Sequence, residues 1–384
     1  MRFAGREIDV GIVASMLAEN PGACFFQGVQ RVRQGVGLDY KGRKDGSAFY
    51  PVSITFEITH NCNLRCKTCW FWGTSGACHG NEGFEVMSLE EIKKFIDSIS
   101  WFKPYFLITG GEPLLYPKLD EVIRYASSKG LFVGLITNGL ISNEGKIKGL
   151  IEAGLNFVTV SIDSPVREVH NEIRGNVKSF DNAVETVRLI KRLRGRKKFP
   201  VVTVNLTISK YNYLELDKML DLGESLNVDV LNFQHQWFSD AKTARAYNLW
   251  AEKNLGLKSE YMGSFETDSA FEVDGERVYE SLSKIKERAK IFVRVFPDIN
   301  REETEKYYNG MEPVFNSYCV APWYAVIVKP KGDVVPCVDF VVGNVKEKSF
   351  KDIWNSDKMK HFRKKVKENK HFPGCTRCCG FFQR

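Results

Sequence analysis

The sequence predicts an α/β fold: a partial (β/α)6 parallel barrel followed by a C-terminal cysteine-rich module. Three observations lead there. From Val52 to Gln234, short apolar runs alternate with longer amphipathic ones. Most of the six short runs are rich in β-branched residues, as strands buried on both faces of a parallel sheet are. Five of the ten cysteines then fall between Cys319 and Cys379. Consecutive βα units wind into a parallel sheet through right-handed crossovers. Six are too few to close an eight-stranded barrel. The sheet is therefore expected to stay open, with ligands at the carboxyl ends of its strands.

In chain order, residues 1–50 form an N-terminal extension, with a short amphipathic helix over Ile8–Leu17 and a Gly- and charge-rich loop over Arg31–Gly46. The core spans 51–236. Its strands are Val52–Glu57, Tyr105–Thr109, Phe132–Thr137, Phe157–Ile162, Val201–Thr207 and Val228–Phe233. Ser88 with Glu91 reads as a capping box opening a helix toward Ser98. Pro117–Lys129, Asn143–Ala153, Phe180–Arg194 and Tyr213–Leu226 repeat apolar residues at helical spacing. Residues 237–316 break the rhythm and read as a mainly helical insertion or connector. In 317–384, Tyr324–Lys329 and Val334–Val338 flank Pro330–Asp333 as a hairpin, and a basic helix runs near Ser356–Glu368.

A hydrophobic fraction of 43% and a charged fraction of 27% are those of an ordinary globular chain. No apolar run reaches 18 residues, so no transmembrane helix is expected. The N-terminus lacks the apolar core and cleavage site of a signal peptide, which makes the cytoplasm the expected location. The net charge of +8 is concentrated in two segments. Thr186–Pro200 holds seven basic residues and no acidic one, and Lys346–Lys370 holds ten basic and four acidic. Both read as solvated faces, or as a contact for a phosphorylated substrate, a reductase or an anionic lipid surface. Membrane association would rest on these segments and the N-terminal helix. No nucleic-acid-binding motif accompanies the charge, and no nucleic-acid partner is expected.

Cys62, Cys66 and Cys69 form a C-x3-C-x2-C loop directly after the first strand. Three thiolates this close can hold three irons of a cubane and leave the fourth open. Zinc is the alternative, with His60 or Cys78 as a fourth ligand. The second strand runs into Gly110-Gly111-Glu112-Pro113, one βα unit later. Two glycines admit a close approach to the backbone. Glu112, in a turn at a strand end, is expected to carry little packing.

With both motifs in place, Val52–Gln234 resembles the core of the radical S-adenosylmethionine (SAM) superfamily. Thr137-Asn138-Gly139 and Thr159–Arg174 further resemble its branch with C-terminal auxiliary clusters. The resemblance implies a catalytic [4Fe–4S] cluster on Cys62, Cys66 and Cys69, with SAM chelating the open iron. It also implies SAM contacts from Gly110, Gly111, Glu112, Asn138, Ser161 and Arg174. A one-electron reductant of flavodoxin or ferredoxin type would trigger cleavage of SAM to a radical that abstracts a substrate hydrogen. Thr68 departs from the family, which usually has an aromatic residue there. Trp70, Phe71 or Trp72 would stand in for it, or simply pack. Cys319, Cys337, Cys375 and Cys378 resemble the SPASM/twitch auxiliary domains and imply one further [4Fe–4S] cluster, with Cys379 as a neighbouring substitute and zinc as the chemical alternative.

Three other residues are candidates for catalysis: Cys78 as a hydrogen donor, Asp339 as a proton acceptor near the auxiliary cluster, and His235 beside the sixth strand. The expected function is an oxidative modification, a dehydrogenation or cross-link, of a peptide, sugar, cofactor precursor or lipid. The competing classes are an iron–sulfur electron carrier, which needs no SAM pocket, and a zinc-stabilised binding protein.

Overall fold

The computed structural model describes residues 2–3, 6–7, 14, 16–18, 20–35, 37–73, 76–78, 85–141, 143–257, 259, 262–267, 269–314, 318–337 and 340–378. Among them, ten strands form one open sheet. Strand β1 (Ser53–Thr59) is followed on one side, in chain order, by β2 (Tyr105–Gly110), β3 (Phe132–Thr137), β4 (Phe157–Ser161), β5 (Val201–Ile208), β6 (Val230–His235) and β7 (Phe292–Phe296). Each pairs in parallel with its predecessor. On the other side of β1 lies β8 (Ala325–Val328), also parallel, then antiparallel β9 (Asp333–Val335) and β10 (Gly343–Asn344). The six expected strands form the heart of this sheet, and its edges, β7 and β10, do not meet.

Alternation along each strand separates two faces. Ile54, Phe56 and Ile58 of β1, Phe106 and Ile108 of β2, and Val202, Val204 and Leu206 of β5 are buried in the main core. Against them pack the helices that follow the strands: α2 (Leu89–Ile99), α3 (Leu119–Ser128), α4 (Glu144–Glu152), α6 (Ser179–Arg194) and α7 (Leu216–Ser225). Each large apolar side chain buried this way contributes roughly 1.5–3 kcal/mol. Helix α2 opens on the capping box that Ser88 and Glu91 predict. The other face carries Thr159, Ser161, Asn205 and Thr207, all half-buried.

One expectation is corrected and two are refined. Arg31–Gly46 is not a loop: α1 (Pro21–Gly35) runs into it, and a short helix, Leu38–Gly42, follows. Gly37, at φ 64°, makes the bend between them. Buried Asp39 ties the segment together by pairing with Arg33 at 2.8 Å and Arg43 at 3.5 Å. The segment 237–316 contains β7 as well as helices α8 (Ala241–Leu255), α9 (Gly275–Arg288) and α10 (Arg301–Asn309). Phe292–Phe296 (FVRVF) alternates as a strand should, but its five residues are dominated by the helices around it. The C-terminal module is not separate, because β8 extends the core sheet along β1. Its hairpin turns at Lys329–Asp333 as expected, and its basic helix is α11 (Asp357–Asn369). The helix expected over Ile8–Leu17 falls mostly outside the described residues.

Candidate active site at the carboxyl end of the sheet

Strand β1 ends at Thr59 and the chain turns at once into the cysteine loop. The loop is built by its own backbone: Cys69 N–H donates to Cys66 O at 3.1 Å and Gly73 N–H to Cys69 O at 2.6 Å. Arg65 reaches back to the carbonyls of Cys62 and Leu64, both at 2.9 Å, and its guanidinium lies 4.0 Å over the Trp72 ring. The three thiols are half-buried. Burial pushes the Cys62 thiol up to about 11 and Cys66 to about 12, and each feels the charge of Cys69. A metal centre that takes them as thiolates therefore displaces their protons. His60, the alternative zinc ligand, is turned away: its Nε2 sits 2.8 Å from Glu57 Oε2. Cys78 is 2% exposed, packed with Phe71 and Trp72. Among the described residues, no three His, Cys, Asp or Glu side chains converge on a point that one metal ion could occupy. Three thiols in one loop are the donor set that a cubane with one open iron would take.

The Gly-Gly-Glu-Pro turn is bolted to this loop. Gly111 N–H donates to Thr59 O at 2.7 Å, and Glu112 N–H to Asn61 O at 2.8 Å. A Cβ on Gly110 would lie 2.1 Å from Thr59 O, and one on Gly111 2.3 Å from Asn61 O. What comes close to these glycines is the cluster loop itself. Glu112 corrects the expectation of a light turn residue, since it is 1% exposed. Its carboxylate accepts from Thr137 Oγ1 at 2.7 Å, Asn138 N at 2.8 Å and Leu114 N at 3.0 Å. Burial raises its pKa while these three donors favour the charge. Glu112 thus ties the end of β3 to the turn after β2. The Asn138 amide then donates to Asn63 Oδ1 at 2.9 Å and reaches Cys62 Sγ at 4.0 Å.

A second brace comes from β4. The α5 helix (Arg167–Arg174) ends with Arg174 Nη1 3.8 Å from Cys66 Sγ. Arg174 Nε lies 2.7 Å from Asp163 Oδ2, and both side chains are nearly buried. Burial opposes the guanidinium charge, but Asp163 and Cys66 together hold its pKa above the ordinary value. Asp163 Oδ1 accepts from Thr207 N at 3.1 Å, and its own N–H donates to His170 Nδ1 at 3.0 Å. Burial holds His170 neutral, with a pKa of about 4. A fixed cation on a ligating sulfur is a means of tuning a cluster. Asp163 was not singled out from sequence, although it stands two residues past Ser161.

The sequence pattern of the Radical SAM superfamily matches residues 56–223, and that of the SPASM iron–sulfur cluster-binding domain matches 319–379. The chain belongs to the radical SAM superfamily, in the branch with a C-terminal SPASM domain. The AdoMet-dependent heme synthase of Methanosarcina barkeri is 27% identical, over 82% of this chain and 84% of its own. The subtilosin biosynthesis protein AlbA of Bacillus subtilis is 26% identical, over 80% of this chain and 60% of its own. Streptococcus suis SuiB, solved bound to the precursor peptide SuiA, shares the fold with a TM-score of 0.61 at 14% identity, over 85% of this chain and 69% of SuiB. A catalytic [4Fe–4S] cluster, SAM and an auxiliary iron–sulfur cluster come with this membership.

The remaining expected residues of this radical SAM chain divide. Ser161, at the end of β4, is half-buried on the inner face, on the same strand end as Asp163. Trp70 stacks between Phe71 at 3.7 Å and Phe265 at 5.2 Å, so it packs the loop. Phe71 and Trp72 are each 5% exposed. His235 is corrected: it is 2% exposed, with Nδ1 2.7 Å from Tyr308 Oη and its pKa held down at about 3 by burial. It packs between β6 and α10. Asp339 and Cys379 lie outside the described residues. In the SPASM domain, Cys319, Cys337, Cys375 and Cys378 are half-buried and packed against the main core. Cys319 is close enough to raise the pKa of Cys375, which burial already pushes to about 12. Phe372 N–H donates to Cys375 Sγ at 3.3 Å. Arg377, between the last two of these cysteines, caps the end of α10 through the carbonyls of Tyr307, Glu312 and Lys306, at 2.7, 3.0 and 2.8 Å. No described helix is long and apolar enough to cross a membrane.

Proposed function

We propose that this radical SAM enzyme carries out an oxidative modification of a cofactor precursor, with the auxiliary cluster as the acceptor or relay of the second electron. The observation that carries the reading is the pairing of β8 with β1. Val326 is in register with Ile54 and Val328 with Phe56. The SPASM module is thereby fixed in the same sheet as the strand that enters the Cys62 loop. Met87 N–H adds a bond to Pro330 O at 2.9 Å. A rigid, shared scaffold suits electron transfer between two centres.

Bound to Cys62, Cys66 and Cys69, the cluster would supply one electron to SAM and so start hydrogen abstraction. The chain's own residues do the rest. The Gly-Gly-Glu-Pro backbone and Glu112 hold the loop at the end of β1. Arg174 and Asn138 supply polar hydrogens at the sulfurs of Cys66 and Cys62. Ser161 is left to orient SAM. The heme synthase relative, matched across most of both chains, supports a cofactor precursor as substrate. AlbA, named for subtilosin biosynthesis, supports a peptide as the second reading. Cys337→Ala provides the test. The intact enzyme should hold about eight irons, in two cubanes. The variant should lose about half, keep slow SAM cleavage, and no longer form an oxidised product, two hydrogens lighter, from a panel of tetrapyrroles. Undiminished product from the half-loaded variant would overturn the relay. No product from the intact enzyme would overturn the substrate class.

A further inference from the structure

The inner face of the sheet carries a polar row that runs on past Ser161, beyond the residue left to orient SAM. Ser161, Asn205, Asn232 and Arg294 are register neighbours on β4, β5, β6 and β7. Register neighbours share a face of a sheet. Their chain neighbours Val160, Val204, Leu231 and Val293 are buried against the helices, so the row points into the barrel. Its last three members are bonded to one another. Arg294 Nε donates to Asn232 Oδ1 at 2.5 Å, and Asn232 Nδ2 donates to Asn205 Oδ1. The guanidinium is thus braced by one edge, and its two terminal nitrogens remain to meet a ligand.

Arg294 lies on the inner face and is nevertheless exposed. Burial lowers its pKa, opposed only by the Tyr105 hydroxyl from β2. On this edge strand the side chain is within reach of a ligand from solution. Among the described residues, no carboxylate offsets its charge. Two residues earlier on the same face, Phe292 joins Phe157 and Phe199 in an apolar floor. The result is one planar fork above an apolar surface, the arrangement that pairs with a carboxylate through two parallel hydrogen bonds.

We propose that Arg294, braced by Asn232 and Asn205, binds a carboxylate group of the substrate on the inner wall of the barrel. The apolar floor beside the fork suits a carboxylate carried on a carbon skeleton better than a bare inorganic anion. The proposal rests on the reading that a substrate is modified inside this barrel, but its test needs no turnover. Phenylglyoxal, which modifies accessible arginines, is applied to the anaerobically loaded enzyme and the sites are followed by mass spectrometry. Arg245, exposed on α8, serves as the internal reference. Succinate at about 0.1 M, well above the millimolar dissociation constant expected of one charge-assisted pair, should slow labelling of Arg294 at least about threefold while leaving Arg245 unchanged. Succinamide with sodium chloride at matched ionic strength should protect neither. Equal labelling of Arg294 with and without succinate, or stronger protection by inorganic phosphate, would overturn the assignment. Either result would leave the oxidative reading standing, since that is decided by Cys337→Ala.

Discussion

Replacing Glu112 is the sharpest test of how the site is assembled. In Glu112→Ala, the Asn138 and Leu114 amides lose their acceptor, and the Thr137 hydroxyl loses its bond at 2.7 Å. Thr137 Oγ1 still accepts from Gly139 N–H, and its hydroxyl hydrogen can rotate about the C–O bond. The two amides cannot turn. An orphaned buried donor costs about 1–3 kcal/mol. The variant should therefore lose about 3–5 kcal/mol, a large share of the ~5–15 kcal/mol typical of a folded protein. Glu112→Gln keeps the bonds at one oxygen but sets an amide N–H against Asn138 N–H, and should lose about 1–3 kcal/mol. Urea unfolding of the apo protein measures both without SAM or iron, and a lowered midpoint at constant slope is the expected result. If Glu112→Ala unfolds within about 0.5 kcal/mol of the parent, Glu112 is not a tie between β2 and β3, and its effect on catalysis would have to come from SAM.

Two further outcomes follow from buried charge. Arg174→Gln leaves Asp163 buried beside an uncharged partner and should cost about 3–5 kcal/mol in urea unfolding, while Asp163→Asn with Arg174→Gln should recover at least half of that; additive losses would mean that the 2.7 Å pair does not act as a unit. His235 is neutral in the fold, with a pKa of about 3, and titrates near 6.5 when unfolded. The unfolded chain then binds the extra proton, so stability is full above about pH 6.5 and falls as pH drops toward 3. The loss should reach roughly 3 kcal/mol by pH 4, and His235→Gln should flatten that part of the stability–pH curve; an unchanged slope would assign the acid sensitivity elsewhere.

Much of this site was legible because its chemistry needs residues close in sequence. Three thiols in one loop and two glycines one βα unit later are local patterns, and the strands between them are apolar enough to read. Residues that act across the fold were harder. Asp163 holds Arg174, eleven positions on, and Thr207 on the next strand; only the folded sheet brings those ends together. Arg294 sits in a five-residue strand between helices, and its meaning depends on Asn232 and Asn205, which reach it through register. The error on Glu112 has the same source. A turn at a strand end usually faces solvent, but this one is covered by the cysteine loop, and the covering residues come from fifty positions earlier. His235 shows the converse: its place after a strand suggested a substrate contact, while Tyr308 on α10 had already claimed it.

The shared sheet also decides how the auxiliary module can be tested. β8 is hydrogen-bonded to β1 along four register pairs, and Trp354 Nε1 donates to Phe49 O at 2.7 Å just before β1 begins. Arg363, buried under the module, donates to Gly46 O at 3.2 Å and Pro322 O at 2.9 Å. Deleting the module would bare the edge of β1, expose its unpaired backbone to other chains, and release the approach to the Cys62 loop. A truncated enzyme that fails to cleave SAM would then report a damaged catalytic loop and say nothing about electron relay. A single thiol at Cys337 leaves β8, Trp354 and Arg363 in place. It removes one cluster ligand without disturbing the strand that carries the catalytic one, which is why the relay must be tested by point substitution.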